Sequence, residues 1–489
     1  MKLVKSLLLG SAAGIAAVAT AQAADLPSKK AAPVEYVRVC STMGAGFFYI
    51  PGTDTCIRVG GRAAYEFQYG QPFVRNDATT GSRTTGRMYM DARTATEYGL
   101  VRAYVRVDVR RRIGQIYSGS QARTGIAFTG SSVDYNGQAQ TTVDLNRAFV
   151  QFGGITAGRT QSFFDFYSGD LEYVGTTAGS ALVNNVLAYT ATFGSGFSAT
   201  LSMEDSVERR SGINVGNFFA PAGTGVPALT ATNAGGFAYT GEGVPDAVAN
   251  LRYDSAWGSV QLSGALHQIR VGAYTGVGSS AAFNFNAPDA EYGWAVNLGT
   301  KINLPMLSPG DALYLQGTYT KGAPSYILSN PFGTGKTGWS FGGTGAIIPD
   351  AYLVANGGVL GGVATYDVEK PAVWGLTAAM LHYWTPTIRQ AFLASYIKSD
   401  APSSVFAAFG AATPATAFVN RARDLTYWTL GTNVTWSPIK DLDIGAEVNY
   451  IHANVGNGPS ATFLATDPAA LSVRNDSIWN TRLKIQRDF

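Results

Sequence analysis

The stretch Val101–Arg110, VRAYVRVDVR, places Val101, Ala103, Val105, Val107 and Val109 on one face and Arg102, Tyr104, Arg106, Asp108 and Arg110 on the other. Period two over that length is a β-strand whose faces meet different environments. Neighbouring segments obey the same rule. Ile57, Val59, Ala63, Tyr65 and Phe67 oppose Arg58, Arg62 and Glu66, while Met88, Met90, Ala92 and Tyr98 oppose Arg87, Asp91, Arg93 and Glu97. An arginine facing lipid near mid-bilayer costs about 2–4 kcal/mol. Several on one wall would exceed the net stability of a typical domain, roughly 5–15 kcal/mol. The arginine parity must therefore face water, and a one-residue slip of register would exchange the two environments.

The alternation continues through Phe197–Met203, Val260–Leu266, Tyr292–Ile302 and Leu442–Tyr450. It blurs at Leu145–Phe152 and Ala372–Ile397, where no faces are assigned. Short turns fall at Tyr98–Leu100, Gly153–Gly154, Gly194–Gly196, Trp257–Gly258, Leu304–Gly310, Thr385–Thr387 and Ser437–Asp441. Between them lie long polar or glycine-rich connections at 70–85, 114–140, 160–184, 207–245, 271–289, 322–370, 399–423 and 454–475. Long and short connections in turn are the mark of up-and-down hairpins with two different rims. The segments between breaks number sixteen, or eighteen if 322–370 holds a further hairpin. A closed ring of about that size keeps an aqueous channel instead of a filled core.

The N-terminus reads as an export signal. Lys2 and Lys5 precede an apolar run from Leu7 to Ala19, and Ala21-Gln22-Ala23 predicts cleavage after Ala23. Losing the two lysines takes the formal charge from +3 to +1, which argues against a nucleic-acid partner. No other segment approaches the ~20 apolar residues of a spanning helix. Three features separate a membrane barrel from a soluble sandwich, which also alternates. The strands suit a tilted crossing of ~9–11 residues. Tyr98, Trp257, Trp384 and Trp436 mark strand ends, as interfacial rings do. The chain stops on IWNTRLKIQRDF, with Trp479, Thr481, Leu483, Ile485 and Phe489 on one parity, so that the last strand can close the ring at Phe489.

The expected architecture is all-β. A signal at 1–23 precedes a periplasmic lead-in at 24–55 and a transmembrane antiparallel up-and-down β-barrel at 56–489. Cys40 and Cys56 sit close together in an exported chain, which favours a disulfide. Neither CxxC spacing nor a neighbouring histidine supports a metal site, and no cofactor is implied.

A ring of this size discriminates between solutes only if something enters it. The third long connection, 160–184, is the candidate, with Asp165, Asp170 and Glu172 set among aromatics. The facing wall would be basic, from Arg58, Arg62, Arg87, Arg93, Arg102 and Arg106 on the polar parity, with Arg159 where the loop leaves its strand. Opposed charge rows across a narrow channel create a transverse field that favours dipolar solutes over apolar ones. Loop carboxylates can also serve as caps for backbone amides.

The passages EYVRVCSTMGAGFFYIPGTDTCIRVGGR and GRTQSFFDFYSGD, the HYWTP turn and the terminal Phe489 together resemble the porins of alphaproteobacteria. The resemblance runs from the signal to the last residue. It implies a sixteen-stranded outer-membrane barrel, usually a homotrimer among lipid and lipopolysaccharide. Such a barrel conducts small hydrophilic solutes and ions passively, and its third loop is folded into the pore. It also implies acidic loop residues facing an arginine cluster.

Other functions meet resistance. A barrel hydrolase needs a nucleophile and a base, yet His267, His382 and His452 lie on separate segments and no GxSxG is present. A substrate-specific sugar or anion channel is the alternative, with Phe163, Phe164, Phe166 and Tyr167 as an aromatic slide or as pins holding the loop. An adhesin or phage-receptor role of the long loops would be additional.

Overall fold

The computed structural model describes residues 38–72, 79–114, 116, 139–215, 239–271, 288–328, 348–360, 363–405, 424–456 and 475–489. The signal segment lies outside them. The chain divides at Ile57 into two units. In the first, Phe48–Tyr49 (β1) pairs antiparallel with Cys56 and Ile57. Cys40 and Cys56 are joined in a disulfide with Cα atoms 6.0 Å apart, packed with Phe47 in a small buried cluster. A bridge closing so short a loop stabilises by about 3 kcal/mol.

The second unit is a ring. Its first strands are β2 (Thr55–Gly70), β3 (Thr80–Thr96), β4 (Gly99–Gly114), β5 (Gln140–Phe152), β6 (Ile155–Gln161), β7 (Val183–Gly194) and β8 (Phe197–Glu204). After β9 (Ile213–Val215) come β10 (Asp246–Ser255), β11 (Gly258–Ile269), β12 (Glu291–Asn303) and β13 (Ala312–Lys321). Then follow β14 (Ala351–Leu360), β15 (Val363–Glu369), β16 (Ala372–Thr385), β17 (Ile388–Asp400), β18 (Leu425–Ile439), β19 (Leu442–Val455) and β20 (Asp476–Asp488). Sixteen of these form the closed antiparallel barrel; β8 pairs with β10, β13 with β16, and β20 returns to β2. The hairpin suspected within 322–370 does exist, but β14 and β15 join β9 in a separate three-stranded sheet, which rules out eighteen wall strands. At the seam Gly61 and Phe489 exchange backbone hydrogen bonds of 2.8 and 3.1 Å. Gly61 has no side chain because a Cβ there would collide with the Phe489 ring.

Every alternation assigned from sequence points its apolar parity outward, where Leu201, Met203, Leu262, Leu266, Leu298 and Leu483 stand exposed. So much contiguous apolar surface needs lipid against it. Two belts of rings bound it. Trp257, Trp384 and Trp436 lie by the short turns, while the pairs Trp294–Tyr319, Trp374–Tyr396 and Trp428–Tyr450 lie further up. Trp428 and Trp436 are separated by roughly 27 Å of strand, which fits a tilted apolar band.

Wall height is uneven. β2, β3 and β4 run 16, 17 and 16 residues, well past the ten or so expected, whereas β6 and β8 run only 7 and 8. The blurred parity at Leu145–Phe152 comes from a β-bulge. Arg106 pairs with Arg147 and Val107 with Leu145, so Asn146 is the extra residue and the faces exchange there. The second blurred stretch has another cause: the inward residues Val373, Ala379, Ala391, Leu393 and Ile397 are apolar because chain packs on them from within the barrel.

Leu298 stands outward between the two belts. Leu298→Arg should cost about 2–4 kcal/mol in denaturant unfolding from lipid vesicles, far more than Leu298→Met. Equal stability of the two variants would mean that this face is not in lipid.

Candidate functional site

A loop in a water-filled barrel has no strand partner for its backbone, so side chains of the wall must serve instead. The connection between β6 and β7, residues 162–182 and slightly shorter than the expected 160–184, is held in this way along most of its length. Glu204 on β8 accepts from the Phe163 amide at 3.0 Å. Asn250 on β10 donates to the Phe163 carbonyl at 2.7 Å, and Gln261 on β11 donates to the Asp165 carbonyl at 3.1 Å. Gln316 on β13 accepts from the Tyr167 amide at 3.0 Å, and Thr377 on β16 donates to the Ala178 carbonyl at 2.7 Å. Asn433 on β18 donates to the Leu171 carbonyl at 2.6 Å. Glu447 on β19 accepts from the amides of Tyr173 and Val174 at 2.7 and 2.8 Å, and Arg482 on β20 donates to the Tyr173 carbonyl at 2.6 Å.

Apolar packing follows the same path. Phe164 is buried among Val248, Ala265 and Ala295, and Tyr167 among Ala379, Ala391 and Leu393. Phe166 and Tyr173 lie over Gly299 and Gly445, where a Cβ would occupy the space of each ring. The aromatics therefore pin the loop, and Phe164 and Tyr167 offer no surface for a solute to slide along.

The loop thus lines the wall from β8 round to β20, and the facing wall is β2 to β5. There the inward parity carries Arg58, Arg62, Arg87, Arg93, Arg102 and Arg106. Buried carboxylates order them. Asp108 accepts from Arg87, Arg106 and Arg110, each at 2.8 Å at closest approach, and Asp91 accepts from Arg93 and Arg102 at 2.8 and 2.9 Å. Arg62 pairs with Asp488 at 2.5 Å, and Glu66 holds Arg83 at 2.6 Å. Among the described residues Arg58 has no carboxylate partner; it donates to the Tyr89 hydroxyl at 3.1 Å and lies over that ring.

Several assignments from sequence need correction. Arg159 faces outward: Ile155 starts β6 on the lipid parity, and Arg159 pairs in register with Ala148 and the exposed Asn185. It is bound to Glu208 at 2.9 Å. Asp165 does not face the passage. Its side chain is only 1% exposed, it accepts from the Leu182 amide at 2.8 Å and from Gln161, and Arg209 lies 3.7 Å away. Burial pushes its carboxyl above the usual range despite that arginine. Glu172 turns back on its own loop, accepting from the Thr176 amide at 2.8 Å, from the Thr177 amide at 3.2 Å and from the Thr177 hydroxyl. Asp170 alone of the three is exposed, within electrostatic reach of Arg147.

Arg147 was missed because the bulge at Asn146 hides its parity. Arg482 and Lys484 were readable on β20 from the parity opposite Trp479 and Leu483. Among the described residues no group of three or more histidines, cysteines and carboxylates is placed to hold a metal.

Comparison with known proteins places these features in context. The profile of the porin subfamily matches residues 25–472. The porin Omp2b of Brucella suis is 32% identical over 267 residues, 53% of this chain and 64% of the relative. Omp2b of Brucella canis is 31% identical over 266 residues with the same shares. The matched region thus spans less than two thirds of these relatives. Among solved structures, the outer membrane channel DcaP of Acinetobacter baumannii aligns over 90% of this chain and 99% of its own with a TM-score of 0.55. At 15% identity that likeness speaks for the fold alone.

Glu447→Leu should leave the Tyr173 and Val174 amides unpaired, at roughly 1–3 kcal/mol each. Hydrogen exchange across 170–177 should then accelerate by at least ten-fold with β2–β5 unchanged. Unaltered exchange in the loop would contradict the anchoring.

Proposed function

We propose that this chain, which belongs to the alphaproteobacterial porin family, is a passive diffusion channel of the outer membrane for small hydrophilic solutes and ions. The observation that carries the reading is the one-sided fixation of the loop. Its backbone and rings are spent on β8 to β20, which leaves a passage bounded by Asp170 on one side and the arginines of β2 to β5 on the other. Opposed charges across a narrow aqueous gap order water and let dipolar solutes align without tight binding. Arg87, Arg106 and Arg147 form the wall side of this eyelet, while Asp165 and Glu172 act on the loop itself. Buried aromatics favour this reading over a sugar slide. His452 meets the Ser477 hydroxyl at 2.7 Å, but its other ring nitrogen meets the Asn454 side chain at 3.0 Å and not a carboxylate, which favours a channel over a barrel hydrolase.

The assembly is proposed to be a homotrimer with lipid and lipopolysaccharide around it. Its low side supports an intersubunit contact. A seven-residue β6, tilted near 45°, rises only about 16 Å, short of an apolar band of about 25 Å. The outward ion pair of Arg159 with Glu208 sits beside this low wall and is better sheltered by protein than by lipid.

Free cysteines are absent among the described residues, so a single introduced thiol is a clean probe. Asp170→Cys should still form open channels in planar bilayers and lose conductance stepwise when a bulky thiol reagent is added, whereas Leu298→Cys should not respond. Full conductance of labelled Asp170→Cys would place the passage elsewhere. In mild detergent the native mass should be that of three protomers, and a stable monomer would contradict the assembly.

A further inference from the structure

The carboxylates of the basic wall lie beneath its guanidiniums. The Asp108 side chain is wholly buried, while those of Arg87, Arg106 and Arg110 keep 18, 17 and 27% exposure. Around Asp108 water in the passage therefore meets the cations and not the anion that orders them, whereas Asp144 and Asp488 at the edges of the strip keep 36 and 40% exposure. Across the gap the expected counterweight is reduced, since Asp165 is buried and Glu172 is bound to its own loop. Of the three acids of this loop, only Asp170 is exposed toward the strip.

Arg147, like Arg58, has no carboxylate partner among the described residues. One Nη of Arg147 donates to Gln161 at 3.2 Å, and its Nε has no hydrogen-bond partner. Its register partner across β4 and β5 is another cation, Arg106. Like charges directly opposed on a sheet face are destabilising, so wall stability does not explain this pair. A hydrated passage that draws anions does.

We infer that the passage prefers anions to cations, and that Arg147 beside Arg106 is the position that sets this preference. The solutes favoured would be small hydrated anions, such as halide, phosphate and short carboxylates. The bulged strand holds Arg147 on the inward face beside Arg106, within electrostatic reach of Asp170. The inference rests on the diffusion-channel reading and deepens it.

The test is the reversal potential of the purified protein in planar bilayers under a potassium chloride gradient. Chloride should permeate more readily than potassium. Arg147→Gln should lower the chloride-to-potassium permeability ratio by roughly three-fold, the effect of a unit charge a few ångström away in water. Arg147→Lys should retain the ratio, and Asp170→Asn should raise it. Potassium preference in the unaltered protein would overturn the inference while conductance upheld the channel. So would an unchanged ratio in both Arg147→Gln and Asp170→Asn. Absence of any conductance would instead remove the channel reading, and this inference with it.

Discussion

A segment placed inside a water-filled barrel must have its backbone groups satisfied without a neighbouring strand. In this chain the wall supplies them. Glu204, Asn250, Gln261, Gln316, Thr377, Asn433, Glu447 and Arg482 project inward from eight strands and bind one loop. Buried polar groups of this sort stabilise only when satisfied and are costly when left alone. The loop and the wall therefore specify each other. Where the loop lies, the inward face is apolar, glycine, or polar and bound to the loop; where it does not lie, the inward face carries a strip of arginines. The passage is what remains between the two.

The charged side follows a related logic. Guanidiniums crowded on one face repel, and carboxylates beneath them reduce that repulsion and fix their geometry. Asp108 receives three arginines, and its burial is what allows the arginines to dominate the surface that water meets. Removing it would leave three cations at close quarters and a disordered wall. The buried acid shapes the field through the positions it imposes.

Much of this was legible in the sequence. The alternation, the seven short turns, the strand-borne arginines and the closing strand at Phe489 all rest on the period of two, which the backbone imposes directly. The site was less legible, because parity is lost whenever the backbone departs from that period. The bulge at Asn146 hid Arg147. The loop covered β16 and β17, whose inward residues turned apolar and erased the contrast between faces. Arg159 stood too close to the loop for its outward parity to be weighed. Asp165 and Glu172 belong to an aperiodic segment, in which a carboxylate that caps amides and one that faces solvent look alike.

The most direct test of the central claim is where anions settle in the lumen. An experimental structure from bromide-soaked crystals should show anomalous peaks along Arg87, Arg106 and Arg147, on the side facing Asp170, and none between the loop and β8 to β20. Bromide found behind the loop, or a loop detached from Glu447 and Gln316, would contradict it.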